Sequence, residues 1–120
     1  MATQTLTGEN FAEVTGGDGI VLVDFWAAWC GPCRAFAPTF ERASDRHEDI
    51  VFGKVDTDAE QELAEEFQIR SIPTLMAVRD GVVVFQQPGV LPEPALESLI
   101  AQVRALDMDE VRRQVGAQAA

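Results

Sequence analysis

The order of segments along the chain predicts an α/β fold with a mixed sheet, and three observations carry that expectation. Ile20-Val21-Leu22-Val23-Asp24-Phe25-Trp26 is a nearly unbroken apolar, β-branched run, as suits a central strand buried on both faces. Apolar residues recur at helical spacing from Arg34 to Glu48 and again from Glu93 to about Leu106. Asp80-Gly81 between two apolar runs is a two-residue hairpin signal, so the strands it joins pair antiparallel.

Taken in order, Thr7-Gly8-Glu9-Asn10-Phe11 reads as the start of a short helix with Thr7 as N-cap, ended by Gly16-Gly17-Asp18-Gly19. The central strand follows, interrupted in character by Asp24. The helix from Arg34 to Glu48 has its apolar stripe at Phe36, Phe40, Ala43 and His47, and Pro38 should kink rather than break it. Ile50–Val55 is the next strand. Thr57-Asp58-Ala59-Glu60 fits a capping box opening a helix that ends near Phe67, with Glu62, Glu65 and Glu66 on its wet side. Ile72–Val78 and Val82–Phe85 are the hairpin strands. Gly89 marks a turn, Pro92 and Pro94 suit the first turn of the last long helix, and Leu96, Leu99, Ile100 and Val103 form its apolar face. From Asp107 to Ala120 a weak cap-and-stripe pattern suggests a short amphipathic helix and then a frayed end. Residues 1–106 are thus expected to form one domain, with 107–120 an extension of it.

Composition narrows the function. At 120 residues, 47% hydrophobic and 24% charged, the chain can bury a core without metal or disulfide staples. A formal net charge of -11 disfavours nucleic acid and anionic membranes as partners. The first residues, Met1-Ala2-Thr3-Gln4, show neither a basic nor an apolar leader region, and no apolar run approaches the roughly 20 residues of a membrane span, so a cytoplasmic address is the default expectation.

Asp24-Phe25-Trp26-Ala27-Ala28-Trp29-Cys30-Gly31-Pro32-Cys33-Arg34, then Ala37-Pro38, Ile72-Pro73-Thr74 and Gly81, in this order and spacing, resemble the thioredoxin family over roughly residues 5 to 105. Lys54-Val55-Asp56-Thr57 and Arg70-Ser71-Ile72-Pro73-Thr74-Leu75 are similar to a branch whose members often carry a zinc-binding N-terminal module, whose cysteines this chain lacks. The resemblance implies a five-stranded mixed sheet flanked by four helices, a general protein-disulfide-reducing activity, and no bound cofactor. Electrons would come from NADPH through a thioredoxin reductase, and a monomer is expected.

The residues themselves support this chemistry. A Cys-x-x-Cys pair can be half of a zinc site, a structural disulfide or a redox couple. Structural zinc wants four ligands. Beyond carboxylates only His47 remains, 14 residues past Cys33 and so roughly 20 Å away along a helix. A disulfide closing so small a loop stabilises by only about 2 kcal/mol. A cysteine in the first helical turn, by contrast, faces unpaired N–H groups and the positive end of the helix dipole, which favour its thiolate. Cys30 is therefore read as the nucleophile and Cys33 as the resolving thiol. Gly31-Pro32 puts no cation beside the thiolate and points to a reductant.

Asp24 could be a solvent-facing strand-end carboxylate; the resemblance makes it the buried acid beneath the cysteines, which accepts the Cys33 proton. Lys54 matches the lysine that neighbours this acid, its alternative being an ordinary strand lysine. Pro73 either starts an edge or occupies a cis turn, and the resemblance implies cis, opposite the nucleophile. Trp29 reads as docking surface or core aromatic, and its place beside the helix start favours docking. Trp29, Gly31, Pro32, Ile72, Pro73, Gly89 and Val90 form the expected partner-binding patch, Trp26 packs beneath the site, and His47 is a half-exposed helix residue without a catalytic part. Ala28 and Pro88 depart from the family's usual residues beside this patch and put partner preference in question. A thioredoxin-fold interaction module without redox turnover is the competing reading. Intact Cys30, Cys33, Asp24 and Pro73 argue against it, as Gly31-Pro32 argues against an oxidase or isomerase.

Overall fold

The computed structural model describes residues 2–119, and side chains up to residue 116. Its elements run β1 (Thr3–Thr5), α1 (Phe11–Thr15), β2 (Ile20–Trp26), α2 (Gly31–Arg46), β3 (Val51–Asp56), α3 (Gln61–Glu66), β4 (Thr74–Arg79), β5 (Val82–Pro88), α4 (Glu93–Ala105) and α5 (Met108–Ala119). The sheet order is β1-β3-β2-β4-β5. β2 lies at its centre, parallel to β3 and antiparallel to β4, and all but its last residue are buried. The expectation of a central, doubly covered strand holds because neither face of β2 meets water.

The period of two along β2 divides the core. Ile20 and Leu22 pack with Phe36, Phe40 and Ala43 of α2 and with Leu96, Leu99, Ile100 and Val103 of α4. Val21, Val23 and Phe25 point the other way, toward Phe11 of α1 and Leu63 of α3. Asp24 falls on the even register and so faces the α2 layer, the helix that begins at the cysteines.

Several local expectations needed correcting. β1 is read from no sequence signal, since Thr3-Gln4-Thr5 is short and polar. It exists because its backbone pairs in parallel with Phe52, Gly53 and Lys54 at the sheet edge. The following Leu6 is fully buried directly over Gly53, where a Cβ would overlap its side chain. α1 starts at Phe11, not after Thr7. The Asn10 side chain accepts from the Thr7 N–H at 2.7 Å, and Thr7 caps only the turn that precedes the helix, its hydroxyl taking the Glu9 N–H at 3.3 Å and its carbonyl those of Asn10 and Phe11. The capping box at Thr57 does not form either. The Thr57 hydroxyl donates to the Trp26 carbonyl at 3.1 Å, while Asp56 Oδ1 takes the N–H groups of Asp58 and Ala59. Cross-strand geometry thus captured the residue that local sequence assigned to a cap.

Other expectations hold. α2 continues through Pro38 without a break, and Glu62, Glu65 and Glu66 are exposed. The hairpin turn places Asp80 at φ 52° and Gly81 at φ 80°, the left-handed pair a two-residue loop requires. After α4, Arg79 donates to the carbonyls of Val103, Arg104 and Leu106, satisfying the helix end and redirecting the chain. Asp107 Oδ1 accepts from the N–H groups of Asp109 and Glu110 to open α5. Met108 is buried, and α5 borders β5 across a hollow edged by Val83, Val84 and Val115. The end of the expected frayed segment, Ala120, lies outside the described residues. Among the described residues no helix is long and apolar enough to cross a membrane.

Candidate active site at the start of helix α2

β2, the central strand, delivers the chain to its carboxyl end, and Ala27-Ala28-Trp29 turns it into α2, with the Cys30 N–H donating to the Ala27 carbonyl. Cys30 is the N-cap of α2. Its Sγ accepts from the Cys33 N–H at 3.2 Å, and Pro32 occupies the first turn, where a missing N–H costs nothing. The sulfur therefore takes the place that Ser or Asp usually holds at a helix start, and a thiolate there accepts the same bond with the helix dipole behind it.

Cys30 and Cys33 are joined as a disulfide, their Cα atoms 5.2 Å apart. Burial alone does not distinguish them, since they are 4% and 3% exposed. The asymmetry lies in the surface. A cleft of about 420 Å3, edged by Trp29, Cys30, Gly31 and Pro32 on one lip and Arg70 and Ile72 on the other, opens on Cys30 and is not lined by Cys33. Across it the Ile72 carbonyl oxygen lies 3.7 Å from Cys30 Sγ. The Ile72–Pro73 peptide is cis, the alternative the sequence alone left open, and Pro73 is buried.

Beneath the helix, Asp24 is fully buried, and neither carboxylate oxygen has a hydrogen-bond partner among the described residues. Burial lifts its pKa from 3.8 to about 7, against the opposing pull of the Lys54 charge. Lys54 stands opposite Asp24 in the β2–β3 register, with its ammonium 5.0 Å from the centre of the Trp26 ring. Trp26 and Ile72 pack against Ala27, Cys30 and Cys33, closing the site from below.

Trp29 is 68% exposed, and its indole N–H donates to Asp58 Oδ2 at 2.9 Å, which holds an otherwise free ring at the cleft. Gly89 and Val90 are exposed but do not line this cleft. Gly89, at φ 107°, is tied to the site through its N–H to the Pro73 carbonyl at 2.8 Å. Pro88 pairs with Thr74 at the end of β5, and the Ala28 carbonyl accepts from Arg34. His47 caps the opposite end of α2, with Nε2 2.7 Å from Glu97 Oε1. Sequence reasoning missed Asp58, Thr57 and Arg70. Arg70, two residues before Ile72, was the one legible from position; nothing local marked the partner of Trp29.

A helix-capping cysteine pair that opens on an apolar cleft, above a buried carboxyl whose pKa is raised to about 7, defines a dithiol–disulfide oxidoreductase. Comparison with known proteins specifies the family. The family described as Thioredoxin matches residues 2–102. A protein named putative thioredoxin 2 from Streptomyces coelicolor is 56% identical over 119 residues, covering 99% of this chain and 89% of that one. The thioredoxin of Alicyclobacillus acidocaldarius is 46% identical over 85% of this chain and 98% of its own length. Among solved structures, the thioredoxin of Malassezia sympodialis superposes with a TM-score of 0.77 at 36% identity, over 85% of this chain and 93% of that one. The chain belongs to the thioredoxin family, has its fold, and is a thiol–disulfide oxidoreductase acting through the Cys30–Cys33 pair.

Proposed function

We propose that the protein is a general cytoplasmic reductant of protein disulfides, recharged from NADPH by a thioredoxin reductase and working as a monomer. The observation that carries this reading is the opening of the cleft on Cys30 and not on Cys33. In the reduced protein the Cys30 thiolate attacks one sulfur of a substrate disulfide, forms a mixed disulfide and expels the other substrate sulfur as thiolate. The Cys33 thiolate then attacks Cys30 Sγ. The Cys30–Cys33 bond forms, the second substrate sulfur leaves, and two electrons have passed from the dithiol to the substrate.

Asp24 accepts the Cys33 proton, through water, before that second attack. A carboxyl whose pKa is about 7 can both take and return a proton near neutrality. Lys54 modulates it by favouring the charged form. Gly31 and Pro32 keep the couple reducing by adding no cation beside the thiolate. Trp29, Ile72 and Pro73 dock the substrate, whose extended chain pairs with the Ile72 backbone at the cleft lip, and Gly89 and Val90 extend the patch. Residues 107–120 are read as an extension of the domain.

Insulin reduction coupled to NADPH oxidation through a thioredoxin reductase tests the reading, with Cys30→Ser as control. Turnover by the native chain and none by the variant is the expected result, and activity surviving in the variant overturns the mechanism. Asp24→Asn should slow turnover near pH 7; full activity at every pH removes the carboxyl from the proton path.

A further inference from the structure

The cations of this acidic chain are mostly spoken for. Arg42, Arg46, Arg79, Arg104, Arg112 and Arg113 each lie within ion-pair distance of a carboxylate. Lys54 stands over Trp26 and acts on Asp24. Arg34, next to Cys33, spends a guanidinium N–H on the Ala28 carbonyl at 2.7 Å. Arg70 is different: it is exposed, and among the described residues it has no hydrogen bond or ion pair. It also forms part of the cleft lip facing Cys30, and borders a second hollow of about 200 Å3 on its outer side, so no neighbour packs its charged end away.

The other flank of the cleft has the opposite sign. Trp29 is held by Asp58, and beyond it Asp58, Glu60 and Glu62 edge a separate hollow of about 390 Å3. A net charge of -11 would by itself favour cationic partners. At physiological salt, however, charges more than about 8 Å away are largely screened, so the lip cation decides what a docked peptide feels. A peptide lying across Cys30 thus meets a positive charge on the Ile72 side and negative charges on the Trp29 side.

We propose that Arg70 makes the cleft selective for disulfides flanked by Asp or Glu, with the substrate carboxylate lying over the Arg70–Ile72 segment. The inference rests on the disulfide-reductase reading above and assigns that site its substrate class. Two extended residues span about 7 Å, so the favoured acid sits about two positions from the substrate residue that pairs with Ile72. The acidic flank at Asp58 repels the same carboxylate, and charge thereby fixes which way the substrate chain runs.

The test compares disulfide-bridged peptides whose residues flanking the cysteine are Asp, Ser or Lys. Each kcat/KM is divided by the rate at which dithiothreitol reduces the same peptide, because flanking charge changes the leaving thiol's own reactivity. The native chain should prefer the acidic over the neutral peptide by about fivefold, the size of one partly exposed ion pair, and the preference should shrink as salt rises. Arg70→Lys should keep most of the preference, Arg70→Ala should reduce it below about twofold, and Arg70→Glu should reverse it toward the Lys peptide. Equal use of the three peptides by the native chain, or an acidic preference that survives in Arg70→Ala, overturns the proposal. Failure to reduce any of them would instead count against the reductase reading itself.

Discussion

Asp24 and Lys54 stand directly opposite each other in the parallel β2–β3 ladder, yet the lysine reaches out over the Trp26 ring while the carboxyl stays buried without a hydrogen-bond partner among the described residues. The desolvation of Asp24 outweighs the attraction of its neighbour, and its pKa rises to about 7. A group so placed destabilises the fold whenever it is ionised.

The sign of the resulting pH dependence follows from proton counting. Unfolded, Asp24 loses its proton near 3.8; folded, it keeps it to about 7, so the folded state binds more protons between those values and stability falls as pH rises through them. The gap corresponds to about 4 kcal/mol. Asp24→Asn should therefore stabilise the oxidised protein at pH 8.5 and change it little at pH 3.5, as read by urea unfolding at both. A gain of equal size at the two pH values would mean that the carboxylate charge is not its source.

The two cysteines should fail differently. Cys30→Ser should form no mixed disulfide with a substrate, whereas Cys33→Ser should form one and hold it, since the attacking sulfur is present and the resolving one is gone. Mass spectrometry of each variant incubated with oxidised peptide distinguishes them. Accumulation of adduct on Cys33 in Cys30→Ser would reverse the roles drawn from the cleft.

Pro32→His places a protonatable ring within the first turn of α2, beside the Cys30 sulfur that caps it. The added cation stabilises the reduced thiolate and should raise the reduction potential. Equilibration against glutathione buffers measures the shift; no change, or a fall, would show that the intervening dipeptide does not set the poise.

Trp29 and Asp58 form one unit at the cleft, an exposed ring held by a hydrogen bond to the carboxylate. Trp29→Ala should raise KM for protein disulfides about tenfold with little effect on stability, as expected of an aromatic contact at an interface. Asp58→Ala should produce a smaller rise, because the ring stays and only its orientation is lost. An unaltered KM in both would remove the indole from substrate docking.

Gly53 is held by packing. Leu6 is fully buried against it, and an added methyl would overlap a side chain with nowhere to move. Gly53→Ala should cost about 1–3 kcal/mol in equilibrium unfolding, the usual range for overpacking a core. A neutral effect would mean that β1 can lift from the sheet without loss.

The sequence was most informative where one residue and its near neighbours decide the outcome. The β-branched run at Ile20–Trp26, the left-handed pair Asp80-Gly81 and the apolar stripe of α4 are local commitments, and each formed the expected element. The Cys30–Cys33 spacing at a helix start likewise constrains its own chemistry, because both thiols share one turn. Thr57 and β1 depended on distant partners: a Trp26 carbonyl across the sheet, and an edge of β3 open to three polar residues.

For the site, the chain alone determined which residues carry sulfur and which acid stands in the central strand. Tertiary structure decided the rest: that Asp24 faces the cysteine helix and is fully buried, that Ile72–Pro73 is cis, that Asp58 holds Trp29, and that Arg70 stands at the lip with no ion pair among the described residues. The division is physical. A thiolate's preference for a helix start is set within one turn, while desolvation and charge pairing depend on what the fold brings near from elsewhere in the chain.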